Sequence, residues 1–78
     1  MDRERLLARR AVYIEELEEI EEDIALYSGG SFKMKTKTGD GPWIDDTPRM
    51  LEMCLHAKKT HEDIIADIDE RLAALDAG

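Results

Sequence analysis

Cys54, His56 and His61 are the side chains best suited to hold a metal ion or start nucleophilic chemistry, and their spacing limits what they can do. Histidines five apart project from different helical faces, whereas helical ligand pairs use spacings of three or four. Cys54 and His61 do share a face, but seven residues at 1.5 Å each put them roughly 10 Å apart, too far for one ion. No metal and no cofactor is expected. Cys54 reads as a small core residue, and a single cysteine excludes an internal disulfide. His61 with Lys58 reads as a polar break in an apolar seam, of the kind that fixes register or oligomeric state. No glycine-rich phosphate loop follows a strand, and no nucleophile is paired with a base. The chain is too small to wall a deep pocket, so no catalytic residue and no enzyme is expected.

Charge is the other chemistry on offer. Glu15 to Asp23 packs seven carboxylates into nine residues. Spaced carboxylates such as Glu18, Glu19 and Glu22 could imitate a phosphate backbone and occupy the basic groove of a target protein, which would make the chain an inhibitor. The plainer reading is a solvated face, partly neutralised by Lys58 and Lys59. Lys33, Lys35 and Lys37 alternate along a second segment, near Phe32 and Trp43, where lysines beside aromatics could grip a single strand. A formal net charge of -8 opposes that, and direct nucleic-acid binding is not expected. Alternating lysines more often protect an edge strand from pairing with strangers. Asp45 and Asp46 precede a helix, where carboxylates serve capping and the helix dipole.

These groups must be positioned by a small scaffold. The sequence has 78 residues, 11 basic and 19 acidic, with 42% hydrophobic and 5% aromatic positions. That fits one small domain spanning residues 1–78, whose core rarely supplies more than about 3 to 5 kcal/mol. A partner subunit would help it. No apolar run approaches the roughly 20 residues needed to cross a bilayer, and no signal-peptide core follows the charged start. The expectation is a cytoplasmic protein, without membrane contact.

Helical seams frame both ends of the chain. Leu6, Arg10, Tyr13, Leu17, Ile20, Ile24 and Tyr27 step by four and three, with only Arg10 polar, which predicts a helix over about 3–27. Leu7 and Ile14 widen this stripe, and Ser28-Gly29-Gly30 ends it, because glycine accepts a left-handed conformation at a helix C-terminus. Leu51, Cys54, Lys58, His61, Ile65, Ile68, Leu72 and Leu75 form a second seam, flanked by Met50, Ala57 and Ile64. Thr47 as N-cap and Pro48 in the first turn open this helix, over about 48–75. Between them, Phe32 to Thr38 alternates with a period of two, Gly39-Asp40-Gly41 supplies a turn, and Pro42-Trp43-Ile44 returns briefly. A β-ribbon with outward lysines is expected at about 31–44.

The resulting fold class is mainly α: an antiparallel two-helix hairpin with a small central β-hairpin, in the order α-β-β-α. Pairing residues whose numbers sum to about 78 matches the seams, Tyr27 with Leu51, Ile24 with Cys54, Ile20 with Lys58, Leu17 with His61, Tyr13 with Ile65, Arg10 with Ile68 and Leu6 with Leu72. The same register sets the acidic run beside Lys58 and Lys59 and Arg9 opposite Asp69. A parallel self-pairing of the first helix would oppose seven acids to seven acids and is disfavoured. Leu7, Ile14, Met53 and Leu55 lie off the main seam: a second copy or another protein could cover them, or the ribbon could fold over one side and leave the rest as ordinary exposed apolar surface.

The order of a long helix closed by Tyr27-Ser28-Gly29-Gly30, a lysine-bearing ribbon from Phe32 through Gly39-Asp40-Gly41, and a second helix opened by Thr47-Pro48 resembles the small head-completion proteins of tailed phages, the lambda-type protein W family. The resemblance spans about Leu6 to Leu72. It departs from the family in its short return strand at Trp43-Ile44, its long second helix and its ending in Asp76-Ala77-Gly78 without a basic tail. What it implies is a structural adaptor repeated around a ring, joining a filled head to the next tail component, located in the host cytoplasm or the virion. Its contact surface would include the ribbon lysines and the helix flanks.

Three functions are therefore expected in order: a non-enzymatic adaptor acting through protein contacts, an acidic nucleic-acid mimic, and a self-associating coiled-coil oligomer. The candidate partner-binding residues are Leu7, Ile14, Glu18, Glu19, Glu22, Lys33, Lys35, Lys37, Trp43 and Met53. The partner is another protein or a second copy of the chain, as a homo-oligomer or ring subunit.

Overall fold

A computed structural model describes residues 2–78. Asp2 opens the first helix, α1 (Arg3–Ser28), its side chain accepting the Arg5 N–H at 2.8 Å. This satisfies one of the unpaired amides of the first turn. The helix ends where expected, but the two glycines divide the task. Gly29 stays right-handed and donates its N–H to the Ala25 carbonyl, while Gly30 takes the left-handed conformation at φ 81°. A β-carbon at Gly30 would meet no atom within 4 Å, so only backbone conformation demands glycine there.

Two strands follow, β1 (Lys35–Thr36) and β2 (Ile44–Asp45), antiparallel with Lys35 opposite Asp45 and Thr36 opposite Ile44. The ribbon is shorter than the alternation of Phe32 to Thr38 predicts, and its return strand is shifted one residue on, to Ile44–Asp45. The physical reason lies in Pro42. Hydrogen-bonded positions alternate along an antiparallel pair, and Asp46 donates to the Met34 carbonyl at 2.7 Å. The next sites are 36 with 44, then 38 with 42, where proline has no N–H to give. Gly41 instead donates to the Thr38 carbonyl at 3.0 Å, closing a turn over 38–41 with Gly39 at φ 56°.

The second helix, α2 (Thr47–Ala77), begins one residue earlier than expected, and its N-cap is Asp46, not Thr47. The Thr47 hydroxyl is engaged elsewhere: its Oγ1 accepts the Met34 N–H at 2.8 Å, and its own N–H donates to Asp45 Oδ1 at 3.0 Å. Thr47 is thereby a buried polar pin between ribbon and helix, 5% exposed. Asp46 holds the first intrahelical bond through its carbonyl, from Met50 N–H, and spends its carboxylate on Arg49.

The helices lie antiparallel in the predicted register. Arg3 pairs with Asp76, Arg10 with Asp69 and Glu16 with His61. Arg10, not Arg9, meets Asp69; the residue that interrupts the seam is the one that crosses it. In α1 the seam residues and Ile14 are buried or half-buried, and in α2 so are the seam and its flanks Met50, Ala57 and Ile64. Leu75 is the exception, exposed near the end of α2. Among the described residues only Leu6 and Ile68 are buried apolar residues, so the hydrophobic core is thin and sits toward the open end of the hairpin.

Candidate interaction surface

The overall shape follows from two long helices with one short cap. The extents are 60 × 26 × 15 Å and the radius of gyration 17.6 Å, against about 11 to 12 Å for a compact domain of this length. Accessible surface is 5925 Å², against about 4,800 Å² for a folded monomer of this mass. The surplus of roughly 1,100 Å² exceeds the roughly 800 Å² that one partner contributes to a standard interface.

Where the candidate residues fall on this rod follows from helical geometry. At about 100° per residue, Arg10 and Glu16 are about 120° apart around α1, so their cross-helix ion pairs flank the seam on opposite sides. Leu7 and Ile14 project on the Arg10 flank; Leu7 is 45% exposed and Ile14 half-buried. Ala11, also exposed, lies between them. Met53, 55% exposed, falls on the other flank, with the Glu16–His61 pair. The greasy residues off the seam therefore form two separate patches. Val12, Leu26 and Ile44 are exposed apolar residues that the seam pattern did not single out.

The acidic run is solvent-facing, with Glu18, Glu19 and Glu22 all exposed. Lys58 and Lys59 do not neutralise it. Lys59 pairs with Asp63 one turn along its own helix at 3.3 Å, and among the described residues Lys58 makes no ion pair. The run's single cross-helix ion pair among those residues is Glu16 with His61.

His61 carries the most constrained geometry on the surface. Its Nδ1 lies 2.9 Å from the Ala57 carbonyl and its Nε2 2.8 Å from Glu16 Oε2. A carbonyl and a carboxylate both only accept, so satisfying both contacts requires both ring nitrogens to donate, which is the imidazolium form. The bond to Glu16, then the bond to Ala57, raise the His61 pKa above its ordinary value, against the opposing effect of burial. The Tyr13 ring stands edge-on to the imidazole at 5.4 Å. Cys54 is half-buried in the seam, its thiol pushed up by burial and by nearby Asp23, which leaves it a poor nucleophile.

On the ribbon, Lys33, Lys35 and Lys37 are exposed. Lys37 Nζ lies 5.4 Å from the centre of the Trp43 ring, with Trp43 66% exposed. Phe32 does not join this group but packs against Tyr27, with ring centroids 5.6 Å apart, tying the loop to the end of α1. Asp45 balances the lysines: bonds from Thr47 chiefly, then burial in opposition, then Lys33 and Lys35, leave its carboxyl below the usual carboxylate range.

Among the described residues no cluster of three or more histidine, cysteine or carboxylate side chains is placed to hold a metal ion. No described helix is long and apolar enough to cross a membrane. No known family model, curated protein or solved structure matches the chain.

Proposed function

We propose that the chain is a non-enzymatic protein-interaction module, a small structural adaptor subunit of an assembly such as a phage head–tail joint. The observation that carries this reading is the mismatch between surface and core: about 1,100 Å² of surplus surface on a rod with two buried apolar side chains among its described residues. Such a rod gains stability when a neighbour covers it. The docking face is the flank bearing Leu7, Ala11 and Ile14, with the ribbon lysines and Trp43 as a second contact at the opposite tip.

A specific observation favours a second reading, the nucleic-acid mimic. Six of the seven carboxylates in the acidic run have no ion-pair partner among the described residues and so remain available to a basic groove. One comparison separates the two. The tagged chain is used to recover its partner from native lysate, alongside a Leu7→Asp variant and a variant with Glu18, Glu19 and Glu22 changed to Gln. The adaptor reading expects the triple variant to recover the same assembly component as the wild type, and Leu7→Asp to lose it. Recovery of a nucleic-acid-binding protein that the triple variant abolishes and Leu7→Asp leaves intact would replace it with mimicry.

A further inference from the structure

The flank of α1 opposite Leu7 carries a stripe of its own. Arg5, Arg9, Val12, Glu16, Glu19 and Asp23 recur in steps of four, three, four, three and four, which keeps them on one side of the helix. Arg5, Arg9, Val12, Glu19 and Asp23 are all exposed. Among the described residues, Arg5, Arg9, Glu19 and Asp23 form no salt bridge, although the other arginines, Arg3, Arg10, Arg49 and Arg71, all do. The stripe is therefore bipolar, basic toward the N-terminus of α1 and acidic toward its C-terminus, and apart from Glu16 its charges have no ion-pair partner among the described residues of one chain.

The spacing is also symmetric about its midpoint. Laid antiparallel on a second copy of itself, the stripe sets Arg5 against Asp23 and Arg9 against Glu19, each contact occurring twice about a two-fold axis. Val12 and Glu16 meet at the centre. Glu16 is already held by His61 of its own chain at 2.8 Å, so its charge is offset and its aliphatic stem faces Val12. Arg5, Ala8, Arg9 and Val12 line a shallow groove that would receive the facing side chains.

From this we infer that α1 pairs antiparallel with α1 of a second copy along the stripe from Arg5 to Asp23, in an isologous dimer. The inference rests on the reading of the chain as a protein-contact module and names the second copy as one of its partners. Two features fix the orientation. A parallel pair would oppose acid to acid and arginine to arginine, whereas the antiparallel pair sets Arg5 and Arg9 against Asp23 and Glu19 and aligns the helix dipoles favourably. The Leu7 flank remains open in the pair, so a dimer could still dock onto a different protein.

The test is a charge swap read by sedimentation velocity over a concentration series of the full chain. Arg9→Glu and Glu19→Arg alone each convert two attractive contacts into two repulsive ones, and each is expected to raise the dimer dissociation constant by about tenfold. The double variant regenerates both contacts in reversed polarity and is expected to return to the wild-type value. Glu19→Arg carries extra weight, because it moves the net charge from -8 to about -6, and general repulsion alone would then strengthen association. A wild-type chain that stays monomeric at several hundred micromolar would overturn the pairing. So would a double variant as weak as the singles, or a Glu19→Arg chain that associates more tightly. Circular dichroism on each variant confirms that the hairpin is intact. Leu7→Asp is expected to leave this dimer unchanged, so loss of pairing and loss of the Leu7 docking face are read separately.

Discussion

Replacing Ile68 with alanine is the sharpest test of where this fold keeps its stability. Ile68 is 4% exposed and, with Leu6, makes up the buried apolar core among the described residues. Removing three carbons from such a site costs the lost transfer free energy plus whatever cavity remains, about 2 to 5 kcal/mol across measured cases. The low end applies here, because a thin two-helix layer can settle inward and because half-buried neighbours such as Leu72 and Ile64 can fill part of the gap. A cost of about 2 to 3 kcal/mol is most of the roughly 3 to 5 kcal/mol that a core of this size supplies. At about 4 to 8 °C per kcal/mol, the midpoint of thermal unfolding should fall by about 10 to 20 °C. Circular dichroism at dilute protein, with urea and heat as denaturants, reads the change, and Leu75→Ala is the control, since Leu75 lies exposed. If Ile68→Ala costs less than about 0.5 kcal/mol, the surface range for ordinary substitutions, or no more than Leu75→Ala, then the core is not where the hairpin places it and the register is wrong.

Two further outcomes follow from the polar groups. The folded state raises the His61 pKa, so the contribution of the Glu16 contact is fully present below the unfolded value near 6.5 and is lost as pH rises through the folded value. Unfolding midpoints measured from pH 5.5 to 8.5 should decline across that window, and Glu16→Gln should flatten the decline; an unchanged slope would sever the link to His61. Thr47→Val removes the acceptor of the Met34 N–H and leaves a part-buried donor unmade, a cost of about 1 to 3 kcal/mol. Amide exchange at Met34 should accelerate by at least tenfold while amides in the middle of α1 change only with global stability, and equal acceleration at both would show that Thr47 pins nothing locally.

Much of this fold can be read from spacing because a seam in steps of three and four has one physical solution, a helix with a covered stripe. The half-buried positions of α1 are the seam residues with Ile14, and even the flanks Met50, Ala57 and Ile64 fall where the period puts them. What periodicity could not convey was how individual polar side chains are spent. Thr47 has the sequence signature of an N-cap, but a hydroxyl has one best use at a time, and the orphaned Met34 amide takes it. Arg10 looked like a defect in the seam because a single-residue pattern does not show its partner; Asp69 lies across the hairpin, a distance that only the register supplies. Charge pattern alone assigns Lys58 and Lys59 to the acidic run, yet Lys59 pairs with Asp63 along its own helix. The strand pattern of Phe32 to Thr38 overran because alternation describes one strand, while strand length is set by the return strand and Pro42 truncates it. The candidate surface was legible as residue types and illegible as patches: nothing in the linear order says that Leu7 and Met53 end on opposite flanks.

That opposition has a mechanical side. Arg10–Asp69 and Glu16–His61 act as two clasps straddling one seam, so rolling α1 about its long axis in either direction stretches one clasp while slackening the other. A helical pair tied on only one edge would hinge open like a book; tied on both, it resists torsion. A twist imposed at the ribbon tip would then be carried along a rod of 60 Å to its far tip instead of dissipating between the helices. Since one clasp is ionic only when His61 is protonated, the stiffness of this lever falls as the solution becomes more alkaline.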